Sequence, residues 1–152
     1  MTKKNTTRRS FLKTASAAAA VGAATPYFFN EKAFANQDKN DRPQIGCIGV
    51  GSMGKGDARG HSGFGDIVAV CDVDSRRADE AKNAGNIGRG KADAYEDYRK
   101  VLERNDIDVV SVVTPDHWHV KIAIEALQAG KHVFCQKPLT LTLEENELIR
   151  RE

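Results

Sequence analysis

Gly49-Val50-Gly51-Ser52-Met53-Gly54 spells G-x-G-x-x-G directly after the apolar run Gln44-Ile45-Gly46-Cys47-Ile48. Between a strand and a helix, such a turn suits a pyrophosphate. The first glycine allows the tight turn, the second lets phosphates approach the backbone, and the third lets helix and strand pack closely. The helix start, with Ser52 and Met53, adds free N–H groups and the positive end of the helix dipole. Asp72 ends a second apolar run, Asp66-Ile67-Val68-Ala69-Val70-Cys71, 18 residues beyond Gly54. That is close to the ~20 residues at which an acid takes the ribose hydroxyls of a dinucleotide. The charge of Asp72 opposes a 2′-phosphate, whereas Arg76 or Arg77 is able to pair with one, and the balance leans to NAD over NADP. The same glycines nearly spell a P-loop, but Gly56 stands where Mg²⁺ binding needs Ser or Thr, which sets a nucleoside triphosphatase aside.

Two further groups stand out, Thr114-Pro115-Asp116-His117-Trp118-His119 and Gln136-Lys137-Pro138. His117 and His119 lie two apart at a helix start and point in different directions, so no metal site is expected.

The elements that must position these groups alternate. Strands are expected at residues 44–48, 66–72, 108–113 and 132–135, with a short edge strand within 91–95. The run 108–113 is β-branched and free of charge after Asp108, as a strand buried on both faces should be. Helices are expected after Gly54, from Ser75, over residues 96–104 with Tyr98, Val101 and Leu102 on one face, and over Val120, Ala123, Ile124 and Leu127 with a stop at Gly130. Thr142-Leu143-Glu144-Glu145 is a capping box opening a last helix. Strand and helix in alternation make a doubly wound parallel α/β sheet, in which ligands gather beyond the carboxyl ends of the strands. The glycine turn, Asp72, Thr114 to His119 and Lys137 all fall at such ends. A six-stranded sheet of this type takes one more strand, so the domain is expected to be incomplete within residues 43–152.

Residues 1–35 read as an address. Arg8-Arg9-Ser10-Phe11-Leu12-Lys13, an Ala/Gly-rich apolar stretch and Ala33-Phe34-Ala35 form, in order, the three parts of an export signal. The run resembles the twin-arginine (Tat) consensus, which implies the Tat translocation machinery as partner, cleavage after Ala35 and a periplasmic or other extracytoplasmic location. Residues 36–42 are polar and read as a leader before the fold. The 152 residues carry a net charge of +2, yet 17 basic and 20 acidic residues follow residue 35. The part beyond the signal therefore has no basic excess with which to bind nucleic acid. No apolar run approaches the roughly 20 residues of a membrane span. Cys47, Cys71 and Cys135 each fall in a strand and read as buried thiols.

Together, the Gly49 turn, Cys71-Asp72, the run Thr114 to His119, and Gly130-Lys131-His132-Val133-Phe134-Cys135-Gln136-Lys137-Pro138 resemble the Gfo/Idh/MocA family of oxidoreductases. The likeness spans about residues 43 to 152. It implies a Rossmann domain for NAD or NADP, hydride transfer on or off a sugar, cyclitol or related polyol, and a second α+β domain that holds the substrate. By position it implies that Gly49, Gly51 and Gly54 hold the pyrophosphate and Asp72 the adenosine ribose. Thr114, Pro115, Asp116 and His119 would line the cofactor cleft, with Gln136, Lys137 and Pro138 near the nicotinamide. A lysine there hydrogen-bonds the reacting hydroxyl and holds positive charge where an alkoxide develops, which makes Lys137 the catalytic candidate. The family motif is E-K-P; here Gln136 removes a negative charge beside Lys137. Some relatives cleave glycosides with tightly held NAD, and a dinucleotide-binding fragment without chemistry is the remaining alternative.

Overall fold

The computed structural model describes residues 42–152. The expected signal, residues 1–35, and residues 36–41 of the leader lie outside the described residues. Arg42, placed in the leader by sequence, is tied into the domain: its Nη2 donates to the carbonyls of Ser62 and Gly65, and its Nε to Asp66.

Five parallel strands form one sheet in the order β3-β2-β1-β4-β5. They are β1 (Gln44–Ile48), β2 (Asp66–Cys71), β3 (Asp93–Tyr95), β4 (Val109–Val112) and β5 (His132–Cys135). Alternation within the strands splits the core into two layers. Cys47, Val70 and Ile67 pack with Ala58 and Ala81 of the helices α1 (Ser52–His61) and α2 (Ser75–Asn83). Ile48, Cys71, Val110 and Val112 face the other way, toward Val101 of α3 (Arg99–Leu102) and Ile122 and Ala126 of α4 (His119–Gln128). Helices thus cover both faces, which is why the central strands read as near-continuous apolar runs.

Helix α1 holds Gly54, Gly56 and Gly60, and each glycine inside a helix costs about 1 kcal/mol relative to alanine. Packing of Gly54 and Ala58 into the core must therefore hold this helix against its own propensity. Helix α3 is shorter than the expected 96–104. The Asp97 side chain accepts from the Arg99 N–H (3.0 Å) and starts the helix late, while Arg104 turns away to Asp93 and Asp106. A 3₁₀ turn, Asp116–Trp118, precedes α4. Before α5 (Leu143–Ile149), Glu145 N–H donates to Thr142 Oγ1 (3.1 Å) and Thr142 N–H returns to Glu145 (3.3 Å), the expected capping box.

The three cysteines lie on strands. Desolvation, with smaller contributions from Asp57 and Asp72 respectively, pushes the Cys47 and Cys71 thiols up to about 12. Cys135 is only half-buried, and its thiol is pushed up to about 11. All three are held protonated near neutral pH.

Candidate dinucleotide-binding site

Strand β1 pairs with β2 on one side and β4 on the other, so the connections leave to opposite faces at its carboxyl end. A cleft of ≈ 890 Å³ opens there. This is the switch point at which doubly wound sheets bind ligands.

The three glycines of the turn are required for three different reasons. Gly49 has φ +83°, and a Cβ on it would lie 2.4 Å from the Val113 carbonyl oxygen. A Cβ on Gly54 would lie 1.8 Å from the Gly49 carbonyl oxygen, so α1 rests directly on the turn. At Gly51 a Cβ would meet only Arg77 Nη1, at 3.7 Å, and otherwise point into open cleft. The fold thus leaves room at Gly51 for something outside the protein. No side chain caps α1, and no acid stands in its first turn. Its N–H groups and positive dipole end face the cleft unanswered, which is the arrangement an anion needs. Ser52 and Met53 line this rim.

Across the cleft, Asp72 is 8% exposed. Val50 N–H donates to its Oδ2 (3.1 Å) and Asp74 N–H to its Oδ1 (3.0 Å). A carboxylate offers about four acceptor sites. One bond anchors Asp72 to the glycine turn and one to its own loop, and two sites remain for hydroxyl donors. On the far wall, the Thr114 hydroxyl oxygen is buried without a hydrogen-bond partner among the described residues. Thr114 lines the cleft, and a buried hydroxyl left without a partner fits a wall built for a polar ligand. The open cradle at Gly51, the free acceptor sites of Asp72 and the orphan of Thr114 together fit a dinucleotide.

Of the residues expected at this site, Gly49, Gly51, Ser52, Met53, Gly54, Asp72, Arg76, Arg77, Thr114 and Pro115 line one cleft. Asp116, Gln136, Lys137 and Pro138 do not line it; Lys137 is exposed on the turn after β5, where its N–H donates to Gln136 Oε1 (2.8 Å) and its bond to Pro138 is cis. Neither does His119, which is buried at 1% exposed. Its Nδ1 lies 2.7 Å from the Pro138 carbonyl and its Nε2 2.8 Å from that of Thr114, so it clamps the two loops from beneath. Gln136 also does more than lack a charge: its amide donates to Asp57 Oδ2 on α1 (2.9 Å), a contact a glutamate would turn into repulsion.

Apart from Trp118, sequence reasoning missed the other polar and aromatic side chains of the lining. Lys55 pairs with Glu80 at the rim, bridging α1 and α2. Tyr98 and Trp118 meet edge-on, ring centres 6.4 Å apart, and Tyr98 Oη donates to Glu125 (2.6 Å). Burial, then the Glu125 carboxylate, pushes the Tyr98 phenol up to about 12. Only the helical spacing of Tyr98 with Val101 was visible in sequence, and it pointed to the core. Among the described residues no cluster of His, Cys, Asp or Glu is arranged to hold a metal.

Residues 44–151 match the family described as an oxidoreductase family with an NAD-binding Rossmann fold, Gfo/Idh/MocA. The chain is 37% identical over 114 residues to a glycosyl hydrolase family 109 protein of Shewanella pealeana, covering 70% of this chain and 25% of that protein. In structure it is similar to myo-inositol dehydrogenase from Lactobacillus casei, solved with NAD(H) and myo-inositol (TM-score 0.66, 31% identity, 72% of this chain and 32% of that one). It is also similar to scyllo-inositol dehydrogenase from Lactobacillus casei, solved with NAD(H) and scyllo-inositol (TM-score 0.64, 29% identity, 73% and 32%). The chain thus spans about a quarter to a third of the length of these relatives.

Proposed function

Because the chain belongs to the Gfo/Idh/MocA oxidoreductase family, with its NAD-binding Rossmann fold, we propose that residues 43–152 are the NAD(P)-binding part of a sugar or polyol dehydrogenase. The observation that carries this reading is the open cradle at Gly51 facing a buried acid, Asp72, with acceptor sites to spare. Bound there, the dinucleotide supplies a nicotinamide able to give or take a hydride.

The chain's own residues divide the work. The N–H groups at the start of α1 hold the pyrophosphate, and Asp72 accepts from the adenosine ribose hydroxyls. Thr114 and Pro115 form the opposite wall. Lys137 serves as the hydrogen-bond donor to the reacting hydroxyl and holds positive charge beside the developing alkoxide. Gln136 positions the lysine's turn against α1 through Asp57. The substrate site belongs to a second domain, a reading supported by the share of relatives spanned and by the exposed Phe134, Leu141, Leu143 and Leu148. The substrate class follows the inositol dehydrogenases. The glycosyl hydrolase name of the Shewanella relative supports a second reading, glycoside cleavage without net cofactor turnover. Steady NADH formation from a polyol by the whole protein supports the first; release of an aglycone without NADH supports the second.

Asp72→Asn tests the nucleotide site. Removing the charge while keeping the shape costs a charge-assisted hydrogen bond, and NADH affinity should fall about tenfold or more. Titration followed by the fluorescence of Trp118, the single tryptophan, measures it. Unchanged affinity would remove Asp72 from the site.

We also propose export by the Tat route, with cleavage after Ala35 and an extracytoplasmic destination. The support is the order of Arg8-Arg9, apolar stretch and Ala33-Phe34-Ala35. Arg8→Lys with Arg9→Lys should leave the protein in the cytoplasm at full length. Mass spectrometry that finds the doubly substituted protein exported and cut before Asn36 would refute the signal.

A further inference from the structure

The loop after β2 carries two acids. Asp72 faces the ribose end of the cleft, and Asp74 is joined to it by its own N–H, which donates to Asp72 Oδ1 (3.0 Å). Asp74 caps α2: its Oδ1 accepts from the Arg76 N–H (3.1 Å). The same carboxylate takes the Arg76 guanidinium, Nη2 to Oδ2 at 2.9 Å and Nε to Oδ1 at 3.3 Å, and stands 3.7 Å from Arg77 Nε. Asp74 is 27% exposed, against 84% for Arg76 and 56% for Arg77. The capping bond therefore fixes the acid, and the arginines come to it.

We infer that Asp74 is a specificity-determining residue that sets the site against a 2′-phosphorylated dinucleotide by occupying Arg76; this rests on the nucleotide-binding reading above. Recognition of a 2′-phosphate uses the planar fork of a guanidinium. The Nε/Nη2 edge of Arg76 is already taken by a carboxylate in bidentate geometry, and its charge is paired. The other candidate is turned elsewhere, because Arg77 Nη1 reaches to 3.7 Å from the Cβ position of Gly51, over the phosphate cradle. A 2′-phosphate would thus either displace Asp74 from that edge or share an arginine whose charge is already paired, and in both cases sit near two carboxylates, Asp72 and Asp74. A ribose hydroxyl pays neither cost, since it donates to Asp72 and leaves the Asp74 pair intact. The pairing is also visible in the titration of Asp74, whose carboxyl is held below its usual range first by the side-chain hydrogen bond from Arg76.

The test is titration of the purified chain with NADH and NADPH, using Trp118 fluorescence and energy transfer to the nicotinamide. Asp74→Asn and Asp74→Ser keep a capping oxygen for the Arg76 N–H and remove only the charge, so the fold should stand. The wild type should prefer NADH. Both variants should bind NADPH about tenfold more tightly, with NADH affinity within about twofold of wild type. Adding Arg76→Ala should abolish the gain. An unchanged NADPH to NADH ratio in both variants overturns the inference, as does a gain that survives Arg76→Ala or a wild type that prefers NADPH. A folded wild type that binds neither nucleotide overturns the nucleotide reading itself and this inference with it.

Discussion

Gly54→Ala is expected to destabilise the chain by more than about 3 kcal/mol, a large part of the roughly 5–15 kcal/mol that holds a domain of this size together. Its new methyl would lie 1.8 Å from the Gly49 carbonyl oxygen and 2.8 Å from the carbonyl carbon. Both atoms are backbone, so no rotamer change relieves the contact. Gly49 cannot yield easily either, because its N–H is bonded to the Cys71 carbonyl (2.8 Å) and its backbone lies against that of Val113. The strain must be met by lifting α1 off the sheet, which opens the packing of Ala58 against Cys47 and Val50. Gly51→Ala should do the reverse. Its methyl meets only Arg77 Nη1 at ordinary contact distance, and φ at this residue is −66°, so stability should stay within about 0.5 kcal/mol. The methyl nonetheless stands where phosphate oxygens would approach the N–H groups of α1, and NADH affinity should fall at least about tenfold. Urea unfolding and nucleotide titration of both variants give the comparison. A Gly54→Ala chain as stable as wild type, or a Gly51→Ala chain that binds as wild type does, would break the assignment of the three glycines.

His119→Ala is expected to cost about 2–4 kcal/mol, a large penalty for a polar residue. The ring bridges the carbonyl of Pro138, nineteen residues after it, and that of Thr114, five residues before it. Its removal takes away the ring nitrogens that face the two carbonyls and leaves a space where a residue 1% exposed had packed. The loss should also loosen the turn carrying Lys137, since no other side chain among the described residues bonds the Pro138 carbonyl. His119→Gln, which keeps an amide donor, should recover part of the stability. Urea unfolding measures the first effect, and amide exchange at Lys137 and Leu139 the second. Stability within about 0.5 kcal/mol of wild type in His119→Ala would show that the clamp contributes little.

Particular residues mark how much of the site was legible in the sequence. The glycine turn and Asp72 were, because each depends on a short stretch of chain: a strand that ends, a turn that only glycine can make, an acid one strand later. The central strands were legible for a related reason, since a parallel strand covered on both faces is largely apolar, as Val109–Val112 is but for Ser111. The capping box at Thr142 is local by construction. Helix α3 was overextended because its residues favour a helix while the competing Asp97 bond and the turn of Arg104 toward Asp93 are tertiary choices. Gln136 misled more deeply. Its partner, Asp57, lies 79 residues away, and only the stacking of α1 beside the end of β5 brings them together.

By itself the sequence determined the class of fold, the glycine turn and the acid that ends the next strand, because these follow from periodicity and from conformations that few residue types allow. The tertiary structure alone decided which polar side chains face the cleft and which are spent inside the protein. It buried His119 as a clamp, gave Arg76 to Asp74, tied Gln136 to Asp57 and set Tyr98 against Trp118 in the cleft wall. The physical reason is that a side chain's role depends on its nearest partner in space. For loops at the carboxyl ends of parallel strands, that partner comes from another crossover, at a sequence distance no local pattern records.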